Sequence, residues 1–237
     1  MTEIVFIDLF SGIGGFAEGF RRAGLTFKYH AFSEVDKNAI SIYKKHFPEA
    51  KELGDVRTIR DFSAIRNQRG GGAPLVVTFG FPCQDLSVAG KRRGLEGSRS
   101  GLFFEAMRVI RELQPDVFIF ENVKGLLSSN KGQDFVRCLQ EIADLGNYDG
   151  QWQLVNTSWV LPQNRERIYF IGTLRGQTRR QVFPILDGGQ PNSGLPTQRA
   201  CCLTARYFRS TAGHGSFFIE RKEYKEGNNE KSASNQN

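Results

Sequence analysis

Ile4-Val5-Phe6-Ile7-Asp8-Leu9-Phe10-Ser11-Gly12-Ile13-Gly14-Gly15-Phe16 is the stretch whose reading decides the fold. Ile4–Leu9 is a short apolar run of strand length, and Phe16–Ala23 has the pattern of a helix. The glycines between them allow a tight turn and let a ligand approach the backbone at the helix N-terminus. The pattern is not the dinucleotide-binding G-x-G-x-x-G, because its third glycine comes too early, which disfavours a nicotinamide dehydrogenase. It is not a P-loop either, since no G-K-[ST] follows. Taken alone, the motif is also compatible with a purely structural strand–helix turn.

Outward from this turn the same alternation repeats. Thr26–Ser33 reads as the next strand and Lys37–Phe47 as the next helix, with Ile40, Tyr43 and Phe47 at helical spacing. Leu75–Phe79 and Asp116–Phe120 are compact apolar runs of the kind buried on both faces of a parallel sheet. Helices over Phe104–Leu113 and Gln133–Leu145 flank the second run, and Trp152–Trp159 with Arg167–Thr173 reads as an antiparallel pair. Alternating β and α predicts a doubly wound α/β sheet over residues 1–173. A short, partly irregular region, 174–219, follows, with one hairpin-like stretch in Cys201–Ile219. From Glu220 to residue 237, four acidic and four basic residues mix with Asn, Ser, Gln and Gly, a composition expected to be disordered.

Composition narrows the class. The chain has 237 residues, 39 % hydrophobic and 24 % charged, with twenty Phe, enough apolar surface to exclude general disorder. Its apolar runs fall short of a membrane helix, and its start has no signal-peptide pattern, so a soluble cytoplasmic chain without membrane partners is expected. Cys83, Cys138, Cys201 and Cys202 have no C-x-x-C spacing, so neither a metal site nor a disulfide framework is expected. Net charge is +7, from 32 basic and 25 acidic residues. Between Arg165 and Arg209 stand eight Arg and no Lys, against only Glu166 and Asp187. Such an arginine surplus suits phosphate and base-edge contacts, although a solvated basic face is the plainer explanation.

Four sites carry chemistry. In the first, Glu34 ends the second strand, where a carboxylate can accept both ribose hydroxyls, and Asp55 is expected where a third strand ends, facing an adenine amino group. In the second, Gly80-Phe81-Pro82-Cys83-Gln84-Asp85-Leu86-Ser87 follows a strand directly. Cys138 reads as a small buried hydrophobe, whereas Cys83 is followed by Gly90-Lys91-Arg92-Arg93-Gly94, whose cations favour the reactive thiolate and whose glycines suit a loop closing over a polyanion. The third is Glu121-Asn122-Val123, where a carboxylate after an apolar strand is partly withdrawn from water and placed to donate a proton, or simply bonds local backbone. In the fourth, strand alternation aims Arg165 and Arg167 of Gln163-Asn164-Arg165-Glu166-Arg167 to one side, where guanidinium groups orient a carboxylate and a carbonyl oxygen.

In this order and at these spacings, D-L-F-S-G-I-G-G-F, Glu34, Asp55, F-P-C-Q, E-N-V and Q-x-R-x-R resemble the cytosine-5 DNA methyltransferases over Asp8 to Gly172, about 70 % of the chain. The resemblance implies a Rossmann-like, S-adenosylmethionine-dependent methyltransferase sheet. It implies that Phe10, Gly12, Ile13, Gly14, Gly15, Glu34, Val35, Asp55, Val56, Pro82 and Leu102 hold the cofactor. It also implies that Cys83 adds to carbon 6 of cytosine while Glu121 protonates ring nitrogen 3, with Arg165 and Arg167 holding the base oxygen and the Glu121 carboxyl. The substrate would be double-stranded DNA with the target base flipped out, contacted by Gln84, Ser87, Lys91, Arg92, Arg93, Arg199, Arg206 and Arg209. Arg175, Arg179 and Arg180 are further candidates for phosphate contacts.

The chain departs from the family at its end. The family's late R-E motif and closing G-N helix have no counterpart: Gly146-Asn147 comes too early, and Gly227-Asn228 lies in the polar tail. Leu203-Thr204-Ala205-Arg206-Tyr207 is similar to a segment near the end of some target-recognition regions, so 174–219 reads as a short or truncated one. A subunit of a split enzyme, a truncated remnant and a minimal active form are the three explanations. A split enzyme would need a complementing subunit, and a restriction–modification or phage setting would add a cognate restriction endonuclease. A tRNA cytosine-5 methyltransferase and an inert DNA-binding accessory subunit are the alternative functions.

Overall fold

The computed structural model describes residues 2–69, 72–81, 101–177, 182–183 and 185, and the backbone of 214–217. Its frame is one sheet of eight strands in the order β3-β2-β1-β4-β5-β7-β6-β8. Strands β1 (Glu3–Leu9), β2 (Thr26–Ser33), β3 (Lys51–Glu52), β4 (Leu75–Gly80) and β5 (Val117–Val123) are mutually parallel. β7 (Glu166–Leu174) then lies antiparallel between β5 and β6 (Tyr148–Asn156), and β8 (His214–Phe217) pairs antiparallel with β6. The doubly wound α/β expectation holds, and β8 falls within the stretch expected to be hairpin-like.

Alternation along the strands sorts side chains between two cores. Val5, Ile7 and Leu9 of β1 face one core with Leu75, Val77 and Phe79 of β4. That face is covered by α4 (Leu102–Leu113) and α5 (Gln133–Ala143), with Cys138 buried among them as expected. Ile4, Phe6, Phe32 and Val76 face the other core, beneath α1 (Gly15–Arg22) and α2 (Lys37–His46). A minor α3 spans Ser63–Arg66. Each buried Phe or Leu contributes about 1.5–3 kcal/mol relative to exposure. Aromatic rings continue the packing laterally: Phe118 and Phe120 stack on Phe170 at centroid distances of 5.8 and 5.0 Å.

Two strands, β6 and β3, depart most from the sequence reading, each for a local reason. β6 starts at Tyr148 because Asp149 and Gly150 are held in the ladder opposite Thr173 and Gly172. It ends at Asn156, whose side-chain oxygen accepts from Ser158 N at 3.0 Å and turns the chain into a 3-10 segment over Thr157–Trp159. The third strand is only Lys51–Glu52, so Asp55 is not a strand end. It caps the 3-10 turn Val56–Thr58, accepting from Arg57 N at 2.9 Å.

Gly172 is required where β7 crosses the Phe118 ring, since a Cβ at this position would overlap that ring. Phe118 is fully buried and cannot move aside. Gly172→Ala is therefore expected to lower stability by about 1–3 kcal/mol, read as a shifted urea midpoint, and Phe118→Leu should offset part of that loss in the double variant. Additive effects of the two changes would contradict this account.

Candidate active site

The parallel strands all end at one edge, and the loops there build two adjoining parts of a site. The first is the glycine loop after β1. Phe10, Gly12 and Gly14 take positive φ values of 52°, 54° and 94°. Gly14 must be glycine twice over, because a Cβ would also press on Tyr43 and Phe47 at 3.1 Å. Glu34 ties this loop to the end of β2: one carboxylate oxygen accepts from Gly12 N at 2.8 Å, the other from Val35 N and Asp36 N at 2.7 and 3.0 Å. Ser33 Oγ donates to Gly54 O at 2.6 Å, bringing the Asp55 turn alongside.

These residues fit an adenosyl group. Ile13, next to Gly12, and Val35, next to Glu34, leave apolar side chains 60 % and 65 % exposed. The hydroxyl of Ser11 is buried without a partner, and open space lies above Gly12 and Gly15. Asp55 is drawn into an ion pair with Arg57, whose hydrogen bonds hold its carboxyl below the usual range. Val56 is spent on the core and gives its carbonyl to Arg108 at 3.0 Å. Leu102, at the start of α4, packs partly buried against the same core.

The second part centres on Glu121. β4 and β5 pair with Gly80 opposite Glu121, and the absent side chain of Gly80 leaves room for the Glu121 carboxylate. Arg167 Nε lies 2.9 Å from Glu121 Oε1 and Arg165 Nη2 3.7 Å from the same oxygen, so both arginines reach one carboxylate, Arg167 from the start of β7 and Arg165 from just before it. Beside them an open cavity of about 430 Å³ is lined by Val123–Gly125 and Gln163–Arg167, with the Lys124–Glu166 ion pair across it. Asn156 accepts from Arg165 N at 3.2 Å and Thr157 Oγ1 donates to Gln163 O at 2.6 Å, which fixes the loop that delivers Arg165.

Three contributions went unread in the sequence. Asn122, buried behind Glu121, donates to Phe81 O at 2.8 Å and so holds the chain where it leaves β4 toward Pro82 and Cys83. Arg175, expected to meet phosphate, instead pairs with Asp149 at 3.3 Å and donates to Gly146 O. Asp8 is fully buried, accepting from Thr78 Oγ1 at 2.7 Å and Tyr43 OH at 3.3 Å, while His30 Nε2 lies 2.7 Å from the same Tyr43 oxygen. A lone Asp inside an apolar strand was the available signal. Pro82, Cys83, Gln84, Ser87, Lys91, Arg92, Arg93, Arg179, Arg180, Arg199, Arg206 and Arg209 lie outside the described residues.

A glycine loop, an acidic end to the second strand and a parallel sheet closed by an antiparallel β7 define the fold of S-adenosylmethionine-dependent methyltransferases. The chain belongs to the C-5 cytosine-specific DNA methylase family, whose profile matches residues 4–226. It is similar to the type II methyltransferase M.HgiCI of Herpetosiphon aurantiacus, at 38 % identity over 92 % of this chain and 47 % of that protein. It is also similar to M.NgoBI of Neisseria gonorrhoeae, at 41 % identity over 70 % of this chain and 49 % of that protein. A solved structure of a Spodoptera frugiperda DNMT2 variant superposes with a TM-score of 0.57 at 25 % identity, covering 75 % of this chain and 51 % of that one. The chain thus spans about half the length of the curated relatives it matches. No helix among the described residues is long and apolar enough to cross a membrane.

The buried Asp8 and His30 predict opposing pH effects on stability. Burial pushes Asp8 from 3.8 up to about 7, so the folded chain keeps a proton that the unfolded chain has lost, and this stabilising contribution fades as pH rises through that window. Burial pulls His30 from 6.5 down to about 4, so its contribution grows with pH between those values. Relative to wild type, Asp8→Asn is therefore expected to gain stability as pH rises from 4 to 7, and His30→Gln to lose it from 4 to 6.5. Each slope approaches about 1.4 kcal/mol per pH unit, measured by urea unfolding at stepped pH. Parallel curves for wild type and both variants would contradict the assignment.

Proposed function

We propose that this chain is the catalytic part of a DNA cytosine-5 methyltransferase that moves a methyl group from S-adenosylmethionine to carbon 5 of a cytosine flipped out of duplex DNA. The observation that carries this reading is Glu121, held by Arg167 and Arg165 opposite Gly80, three residues before Cys83. Carbon 5 of cytosine is a poor nucleophile, and the pair of residues remedies this. The Cys83 thiolate bonds to carbon 6 while Glu121 gives its proton to nitrogen 3, which leaves an electron-rich enamine at carbon 5. Arg165 and Arg167 orient the Glu121 carboxyl and take the base oxygen. Bound in the glycine loop by Glu34 and the apolar Ile13 and Val35, S-adenosylmethionine supplies the electrophilic methyl. Loss of the carbon 5 proton then breaks the bond from sulfur to carbon 6 and frees Cys83.

Relatives named as type II methyltransferases support a restriction–modification setting, in which a cognate restriction endonuclease cuts the unmethylated sequence. A cytoplasmic location follows from that role. The chain matches about half the length of these relatives, and methylation at a defined sequence is proposed for the whole protein of this family. Methyl transfer to tRNA uses the same chemistry and is the second reading, supported by the similarity to the DNMT2 structure. An inert DNA-binding accessory role is disfavoured by the intact Cys83, Glu121, Arg165 and Arg167.

Mass spectrometry with duplex DNA carrying 5-fluorocytosine tests the chemistry, since the blocked carbon 5 traps Cys83 as a covalent adduct after methyl transfer. The adduct is expected with the wild-type chain and absent with Cys83→Ser, whose hydroxyl is far less ionised. Glu121→Gln is expected to slow transfer by about a hundredfold or more. Near-normal turnover by Cys83→Ser would sink the assigned nucleophile. Parallel assays on tRNA separate the two substrates. DNA binding that falls steeply with salt is expected.

A further inference from the structure

Tyr43 touches both ends of the glycine loop. Its hydroxyl donates to Asp8, where β1 runs into the loop, and its ring lies against Gly14, where the loop enters α1. The ring itself is buried and fixed, stacked on Phe32 at a centroid distance of 4.1 Å. Between those two contacts the backbone is strained, since Phe10 is a non-glycine residue at φ 52°. Such a conformation persists only where its surroundings enforce it. Thr78 from β4 anchors the other oxygen of Asp8, and His30 Nε2 from β2 lies 2.7 Å from the Tyr43 oxygen.

We propose that Tyr43 is a positioning residue for the cofactor loop, clasping Asp8 through its hydroxyl and Gly14 through its ring, so that the Tyr43–Asp8 hydrogen bond sets the affinity for the adenosyl cofactor. The proposal rests on the reading that this loop holds S-adenosylmethionine. A hydrogen bond to an ionised carboxylate is stronger than one to its neutral form. The clasp therefore tightens as Asp8 loses its proton. Burial holds Asp8 up to about 7, the charge of Glu34 adds to the rise, and the hydroxyls of Thr78 and Tyr43 oppose it. Among the described residues, these groups and His30 behind Tyr43 are the titratable and hydroxyl groups that bear on Asp8, and no cation is among them.

Titration calorimetry of the full chain with S-adenosylmethionine and with S-adenosylhomocysteine, from about pH 6 to about pH 8, tests this. Wild-type affinity for both is expected to rise about five- to tenfold over that range. Tyr43→Phe keeps the ring on Gly14 but loses the clasp, so it is expected to bind both about five- to tenfold more weakly at the upper pH. Its profile and that of Asp8→Asn should be flatter than wild type, with the cofactor's own titration common to all three. Thermal unfolding reports whether each variant is folded, and Asp8→Asn carries the pH test if Tyr43→Phe does not fold. A pH dependence confined to S-adenosylmethionine would mean direct attraction of its sulfonium by Asp8 and overturn the proposal. So would wild-type affinities and profiles in both folded variants. Failure of the wild-type chain to bind either nucleoside would overturn the cofactor reading, and this proposal with it.

Discussion

Parallel pairing of β1 with β2 and β4, and of β4 with β5, is the constraint on which the rest depends. Parallel neighbours need crossovers, and right-handed crossovers return every strand in the same direction. The loops after β1, β2, β4 and β5 therefore meet at one edge, although β1 ends at Leu9 and β5 only at Val123. Gly12 reaches Glu34 across 22 residues, and Asn122 reaches Phe81 across 41. The site is thus a property of the sheet before it is a property of any loop.

Two carboxylates at this edge illustrate how environment assigns roles. Glu121, at the open end of β5, is half-buried and faces two guanidinium groups, so its charge is compensated and its orientation set. Asp8, further down β1, is fully buried and accepts from the hydroxyl groups of Thr78 and Tyr43. Desolvation outweighs two hydrogen bonds there and raises its pKa to about 7. The two carboxylates thus sit in opposite surroundings, Glu121 within reach of water and arginine and Asp8 sealed from water.

Antiparallel insertion of β7 has its own consequence. It places Arg167 opposite Val123 and Tyr169 opposite Glu121, so the strand that closes the sheet also carries arginine to the carboxylate. The same strand carries Gly172 beneath Phe118. Packing and chemistry are therefore spaced along one strand: its far half is held by aromatic rings, and its near end is left to reach the cavity.

By itself, the sequence determined the alternating α/β pattern and the glycine turn, because strand and helix periods and turn chemistry are local signals, and it singled out Glu34, Cys83, Glu121, Arg165 and Arg167 as candidates. Strand ends shifted where side chains overrode propensity, as when Asn156 turned β6 into a 3-10 segment and Asp55 became a cap rather than a strand end. Only the tertiary structure decided that Asn122 grips Phe81, that Arg175 serves Asp149, and that Tyr43 spans Asp8 and Gly14. These contacts join residues tens of positions apart, and hydrogen bonding and desolvation depend on what surrounds a group in space. No periodicity encodes that; it appears only once the sheet has brought the strand ends together.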